Sequence, residues 1–114
     1  MGREASRMDV QLFKALSDGT RLKMVELLSR RVYCVRALSL MLEISESAVS
    51  QHMKILRDVG LVEGVKFGYY THYRLRRDAV EQIGQSLLAL AARPHDGQDC
   101  DAAEKVGCRT TKQA

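Results

Sequence analysis

Residues 45–75 constrain the fold more than any other stretch, because a helix with both ends marked is followed at once by a change of period. The Ser45 hydroxyl can accept from the free amides that open a helix. Gly60 stands where a left-handed residue closes one. Between them Val49, Met53, Leu56 and Val59 recur on one face of a helical wheel, and Ser47, Ser50, Gln51 and Lys54 share the opposite face. After Gly60 the residues alternate. Leu61 to Lys66 and Tyr69 to Leu75 read as two short strands around Phe67-Gly68.

Helical spacing also precedes this unit. Met8, Leu12, Phe13 and Leu16 predict a helix over residues 8–16, which Ser17-Asp18-Gly19 interrupts. Ser17 or Asp18 can cap a second helix from Thr20 to Ser29. Tyr33 to Leu42 predicts a third helix, apolar on most sides, and Glu43-Ile44 a tight turn before Ser45. Beyond the strands, Asp78 is placed to cap a last helix reaching about Ala92, with Val80, Ile83, Leu87 and Leu90 on one face. Pro94 ends the pattern, and residues 95–114 carry no apolar period. The expectation is a mainly α fold with a small β-hairpin, a winged helix-turn-helix. One domain over residues 1–92 is followed by a flexible, Cys-containing tail over 93–114.

Composition narrows the setting. A chain of 114 residues holds one core, and with no Trp and 5% aromatic residues that core must be aliphatic. No apolar run nears the roughly 20 residues that span a bilayer, and the N-terminus lacks a secretory pattern. A cytoplasmic protein with reduced thiols is expected. The net charge of +4 and pI of about 9.1 favour a polyanionic partner. In residues 93–114 four basic residues (Arg93, Lys105, Arg109, Lys112) balance four acidic ones (Asp96, Asp99, Asp101, Glu104), so the excess lies in 1–92. An enzyme finds no support: there is no phosphate loop, no CxxC pair and no Ser/His/Asp set.

A helix that follows a tight turn can lie across the major groove of double-stranded DNA, with its first residues on base edges. Ser47, Ser50 and Gln51 bring hydroxyl and amide groups suited to bases or phosphates, Lys54 brings charge, and His52 stands among them. The hairpin would set Lys66, Tyr69 and Tyr70 beside the flanking backbone, although cross-strand packing is the alternative for the tyrosines.

The run Ile44-Ser45-Glu46-Ser47-Ala48-Val49-Ser50-Gln51-His52-Met53-Lys54-Ile55-Leu56-Arg57-Asp58-Val59-Gly60-Leu61-Val62 resembles the recognition helix of ArsR/SmtB-type regulators. Ala15-Leu16-Ser17-Asp18-Gly19-Thr20-Arg21-Leu22 is similar to that family's entry into its second helix, where Pro more often stands at Gly19. The resemblance covers roughly residues 8–92. It implies a homodimeric transcriptional repressor, with Ser47, Ser50 and Gln51 on bases, that leaves its operator when an inducer, often a metal ion, binds. It also implies a dimer interface made by the first and last helices, burying Val80, Ile83, Leu87 and Leu90. The family often has Arg just after the wing glycine, where this chain has Tyr69.

Cys34 matches the first thiol of the family's Cys-Val-Cys metal motif, and Arg36 stands at the second. A complete pair would hold arsenite, cadmium or lead as thiolates. Cys100 and Cys108 could join Cys34 in a three-sulfur site, for which trivalent arsenic is the favoured inducer; no resident cofactor is required. Alternatives are a buried, inert Cys34, oxidant or sulfide sensing through the cysteines, and a winged helix with no metal inducer. Arg77 and Ala79 leave the closing-helix zinc site of related sensors without its ligands.

Overall fold

The computed structural model describes residues 9–97. In chain order these form α1 (Val10–Leu16), α2 (Gly19–Leu28), β1 (Tyr33–Cys34), α3 (Val35–Leu42), α4 (Glu46–Asp58), β2 (Val62–Phe67), β3 (Tyr70–Leu75) and α5 (Arg77–Ala91). The strands make one antiparallel sheet in the order β1-β3-β2. The architecture is the winged helix-turn-helix that the sequence pattern predicts. Met8 lies outside the described residues, as does most of the proposed tail. None of the described helices is long and apolar enough to cross a membrane.

Short polar side chains start most of the helices. Asp9 accepts from the Gln11 amide to open α1, and Asp18 accepts from the Arg21 amide at 3.0 Å to open α2. Ser45 accepts from the Ala48 amide at 3.0 Å and opens α4. The turn before it is held by Ser39, whose hydroxyl donates to the Ile44 carbonyl at 2.7 Å and whose carbonyl accepts from the Ile44 amide. The far end of α4 closes by two backbone bonds, from the Gly60 amide to the Arg57 carbonyl and from the Leu61 amide to the Leu56 carbonyl, both 2.9 Å. This double closure needs a left-handed residue between helix and strand, and Gly60 supplies it at φ +82°. The Arg76 amide then donates to the Leu61 carbonyl, tying the foot of the hairpin to the end of α4.

The core lies where α2, α3, α4 and the sheet meet. Met24, Leu28, Leu38, Val49, Met53, Leu56, Leu61 and Val62 are fully buried there, with Tyr73 and Leu75 closing the sheet side. Leu12 and Ala15 bring α1 into the same cluster, and Ile83 brings α5.

Three readings of the pattern are corrected. Tyr33-Cys34 does not belong to the third helix; it pairs with Tyr73 and His72 as an edge strand, and α3 starts at Val35. Two apolar residues run straight into an apolar helix, so no change of period marks the strand. Asp78 is not the cap of the last helix. That position is Arg76, which makes no side-chain cap bond, and Asp78 sits in the first turn with its carboxylate 3.2 Å from the Arg76 guanidinium. That hydrogen bond holds the Asp78 carboxyl below its ordinary pKa. Finally, the apolar face of α5 divides. Ile83 is buried in the protomer's own core and Val80 packs against it, whereas Leu87, Leu88 and Leu90 are exposed.

A Cβ at Gly60 would meet nothing within 4 Å, so the cost of a side chain there is backbone strain alone. Gly60→Ala should lower stability by about 1–2 kcal/mol, and Ser45→Ala by about 1 kcal/mol. Urea denaturation at fixed protein concentration measures both. Unchanged midpoints would mean that the ends of α4 are not set by these residues.

Candidate nucleic-acid interface

With Val49, Met53 and Leu56 fully buried, the opposite face of α4 is left outside. Ser47, Ser50, Gln51 and Lys54 are all exposed along it. Their spacing gives one stripe parallel to the helix axis. Arg57, which the sequence reading passed over, is also exposed and extends the Ser50–Lys54 row by i+7 spacing, a signal available in the sequence. Lys54 pairs with Asp58 at 3.1 Å, but the two side chains are 67% and 58% exposed. Such a pair is worth about 0.3–0.5 kcal/mol and yields easily to a phosphate.

His52 does not join the stripe. Its side chain is 25% exposed and turns toward α2, with Nδ1 3.3 Å from a guanidinium nitrogen of Arg21 and 4.0 Å from the Asp18 carboxylate.

The hairpin carries the second exposed group. Phe67 pairs with Tyr70, leaving Gly68-Tyr69 as a two-residue turn with φ +63° at the glycine. Positive φ at the first turn position suits the twist of a tight hairpin and favours glycine. Tyr69 is 98% exposed and Tyr70 68%, so these two do not pack across the strands; Tyr73 does, opposite Tyr33. Lys66 is exposed opposite Thr71. Lower on the hairpin, Arg74 is neutralised by Glu63 at 2.6 Å. Phe67 meets the His72 ring edge-on, centroids 4.7 Å apart.

Cys34 is the one thiol among the described residues; Cys100 and Cys108 lie outside them. It is half-buried at the N-cap of α3, where its Sγ accepts from the Ala37 amide at 3.4 Å. It also lies in register with His72 of β3, whose Nδ1 is buried without a hydrogen-bond partner. Beside it an open cleft of about 210 Å³ is lined by Cys34, Val35, Arg36, Glu46, Tyr70 and Thr71. Arg36, at the second motif position, is exposed. Among the described residues, no three His, Cys, Asp or Glu side chains gather as a ready metal site.

The family described as bacterial regulatory protein, arsR family, matches residues 18–64, from the cap of α2 into the hairpin. The arsenical resistance operon repressor of Bacillus subtilis (strain 168) is 35% identical over 98 residues, covering 85% of this chain and 93% of that protein. The chain belongs to the arsR family of bacterial regulatory proteins. The arsenical resistance operon repressor of Escherichia coli (strain K12) is 44% identical over 69 residues, a match to 60% of this chain and 59% of that repressor. Among solved structures, the homodimeric winged helix-turn-helix DNA-binding domain of a possible ArsR-family regulator from Mycobacterium bovis superposes with a TM-score of 0.61. It is 26% identical, with 73% of this chain and 76% of that one covered.

The arsR-family segment opens on Asp18. The Arg21 amide, chiefly, holds its carboxyl below the ordinary pKa; partial burial opposes this, and the charge of Arg21 assists. An ionised cap contributes stability above the unfolded carboxylate pKa of about 4, and the contribution is lost as pH falls through the lower folded value. Urea midpoints should therefore fall between roughly pH 5 and pH 2. Asp18→Asn, which caps without titrating, should show a shallower fall. Equal acid slopes would contradict the role given to Asp18.

Proposed function

We propose that this arsR-family chain is a homodimeric, sequence-specific transcriptional repressor on double-stranded operator DNA. A soft metal or metalloid, arsenite before cadmium or lead, relieves repression by binding cysteine thiolates. The observation that carries the proposal is the exposed stripe Ser47, Ser50, Gln51 and Lys54 on a helix whose other face is fully buried. Such a stripe fits a major groove: hydroxyl and amide groups meet base edges while Lys54 and Arg57 meet phosphates. Lys66, Tyr69 and Tyr70 on the hairpin would contact the flanking backbone, with tyrosine hydroxyls in place of a charged wing tip.

Two further observations support the dimer. Val10 of α1 and Leu87, Leu88 and Leu90 of α5 leave apolar surface outside the protomer, and the Mycobacterium bovis relative is homodimeric. A dimer presents two recognition helices to a palindromic site. Residues 1–92 would form the DNA-binding and dimerising domain, with 93–114 bringing Cys100 and Cys108 to Cys34. Trivalent arsenic is favoured because soft ions prefer thiolates and because the Bacillus subtilis and Escherichia coli relatives are arsenical resistance operon repressors. Cys34 belongs both to the start of α3 and to the strand beside the wing, so a ligand held there would act on the helix that leads into α4 and on the sheet that carries the wing. Release requires that the ligand bind the DNA-free form more tightly.

The test is fluorescence anisotropy of the reduced protein on DNA from upstream of its own gene, titrated with arsenite. Tight, salt-sensitive binding that arsenite reverses is expected. Ser50→Ala with Gln51→Ala should weaken specific binding by about tenfold or more while the dimer persists. Cys34→Ser should bind DNA normally and ignore arsenite. Unchanged operator affinity in the first variant would remove α4 as the reading helix. A normal arsenite response in the second would exclude Cys34 as an inducer ligand.

A further inference from the structure

We infer that His52 is a positioning residue, which sets the roll of the recognition helix through Arg21, rather than a DNA contact. The inference rests on the reading of α4 as the DNA-reading helix. The buried side chains Val49, Met53 and Leu56 decide which face of α4 points inward, but apolar contact is non-directional and does not by itself set the last degrees of rotation about the helix axis. A roll of about 20° moves side-chain tips at a radius near 6 Å by roughly 2 Å, whereas a recognition site tolerates about 0.5 Å. A directional tie is needed, and His52 supplies one on the flank of α4 between its buried face and its exposed stripe.

Arg21 is the hub of that tie. Its Nε donates to the Ala15 carbonyl at the end of α1 at 2.7 Å, and its backbone amide donates to the Asp18 carboxylate that caps α2. One terminal guanidinium nitrogen lies 3.3 Å from His52 Nδ1. Three segments of chain, the end of α1, the start of α2 and the middle of α4, thus meet on one half-buried arginine. The chemistry of that contact fixes the imidazole. A guanidinium has donors and no acceptor, so in this contact His52 Nδ1 is the acceptor and the ring proton sits on Nε2. The Asp18 carboxylate, 4.0 Å from Nδ1, is beyond hydrogen-bond range and does not compete.

Long-range proton–nitrogen NMR of the free protein reads the tautomer directly. A pyridine-type Nδ1 and a protonated Nε2 are expected at neutral pH; a protonated Nδ1 overturns the inference. Operator affinity supplies the second reading. His52→Leu and Arg21→Met should each weaken specific binding by about tenfold, with non-specific duplex affinity unchanged. The double variant should be no weaker than either single one. His52→Asn, which offers a carbonyl oxygen near the Nδ1 position, should stay within about threefold of the unaltered protein. Additive losses, or an Asn variant as weak as the Leu variant, would refute the tie. Should Arg21→Met fold poorly, the Asn and Leu pair and the tautomer decide. The nitrogen shifts need no DNA, so a chain that selects no operator would count against the repressor reading alone.

Discussion

Val49, Met53 and Leu56 carry the burden of the structure, because removing all three from water decides which side of α4 faces out. Burying each such side chain is worth about 1.5–3 kcal/mol. Turning the helix over would expose them and drive Ser47, Ser50, Gln51 and Lys54 into a core that offers those groups no partners. The exposed stripe is therefore first of all the consequence of a packing decision. Its place relative to α3 is set by the turn latched by Ser39 and Ile44.

The same helix organises its neighbours. Ser45 fixes where it begins, and Gly60 turns the chain sharply enough that Leu61 and Val62 enter the core at once. That turn sets the root of the hairpin, and the bond from the Arg76 amide to the Leu61 carbonyl sets where the hairpin returns. The hairpin and α4 are thus placed by contacts within a few residues of Gly60. Cys34 joins this arrangement from the other side, because β1 pairs with β3 while its last residue caps α3.

What could be read from the sequence follows from periodicity. The helices, the hairpin and the polar stripe of α4 each repeat over enough residues to leave a pattern, and for α4 that pattern assigns the buried and exposed faces found in the structure. Tyr33-Cys34 leaves none, since two residues cannot show a period and the following Val35 is apolar as well. Asp78 carries a side chain typical of caps, yet the chain leaves β3 at Leu75 and α5 starts two residues later, so the first turn claims it. The division of the α5 face depends on which residues the rest of the protomer reaches, which a helical wheel does not contain. In sequence His52 stands among the residues of the stripe; its partner Arg21 is 31 positions away, and only the folded chain brings them together.

In the proposed complex the outer face of α4, aided by the wing, is the surface that meets DNA. Amide chemical-shift mapping with the operator duplex tests it most directly. The largest changes are expected on Ser47, Ser50, Gln51, Lys54 and the hairpin tip around Lys66 to Tyr70, with α2 and α5 little affected. Changes concentrated instead on the exposed apolar residues Leu40 and Met41 of α3, with α4 silent, would contradict it.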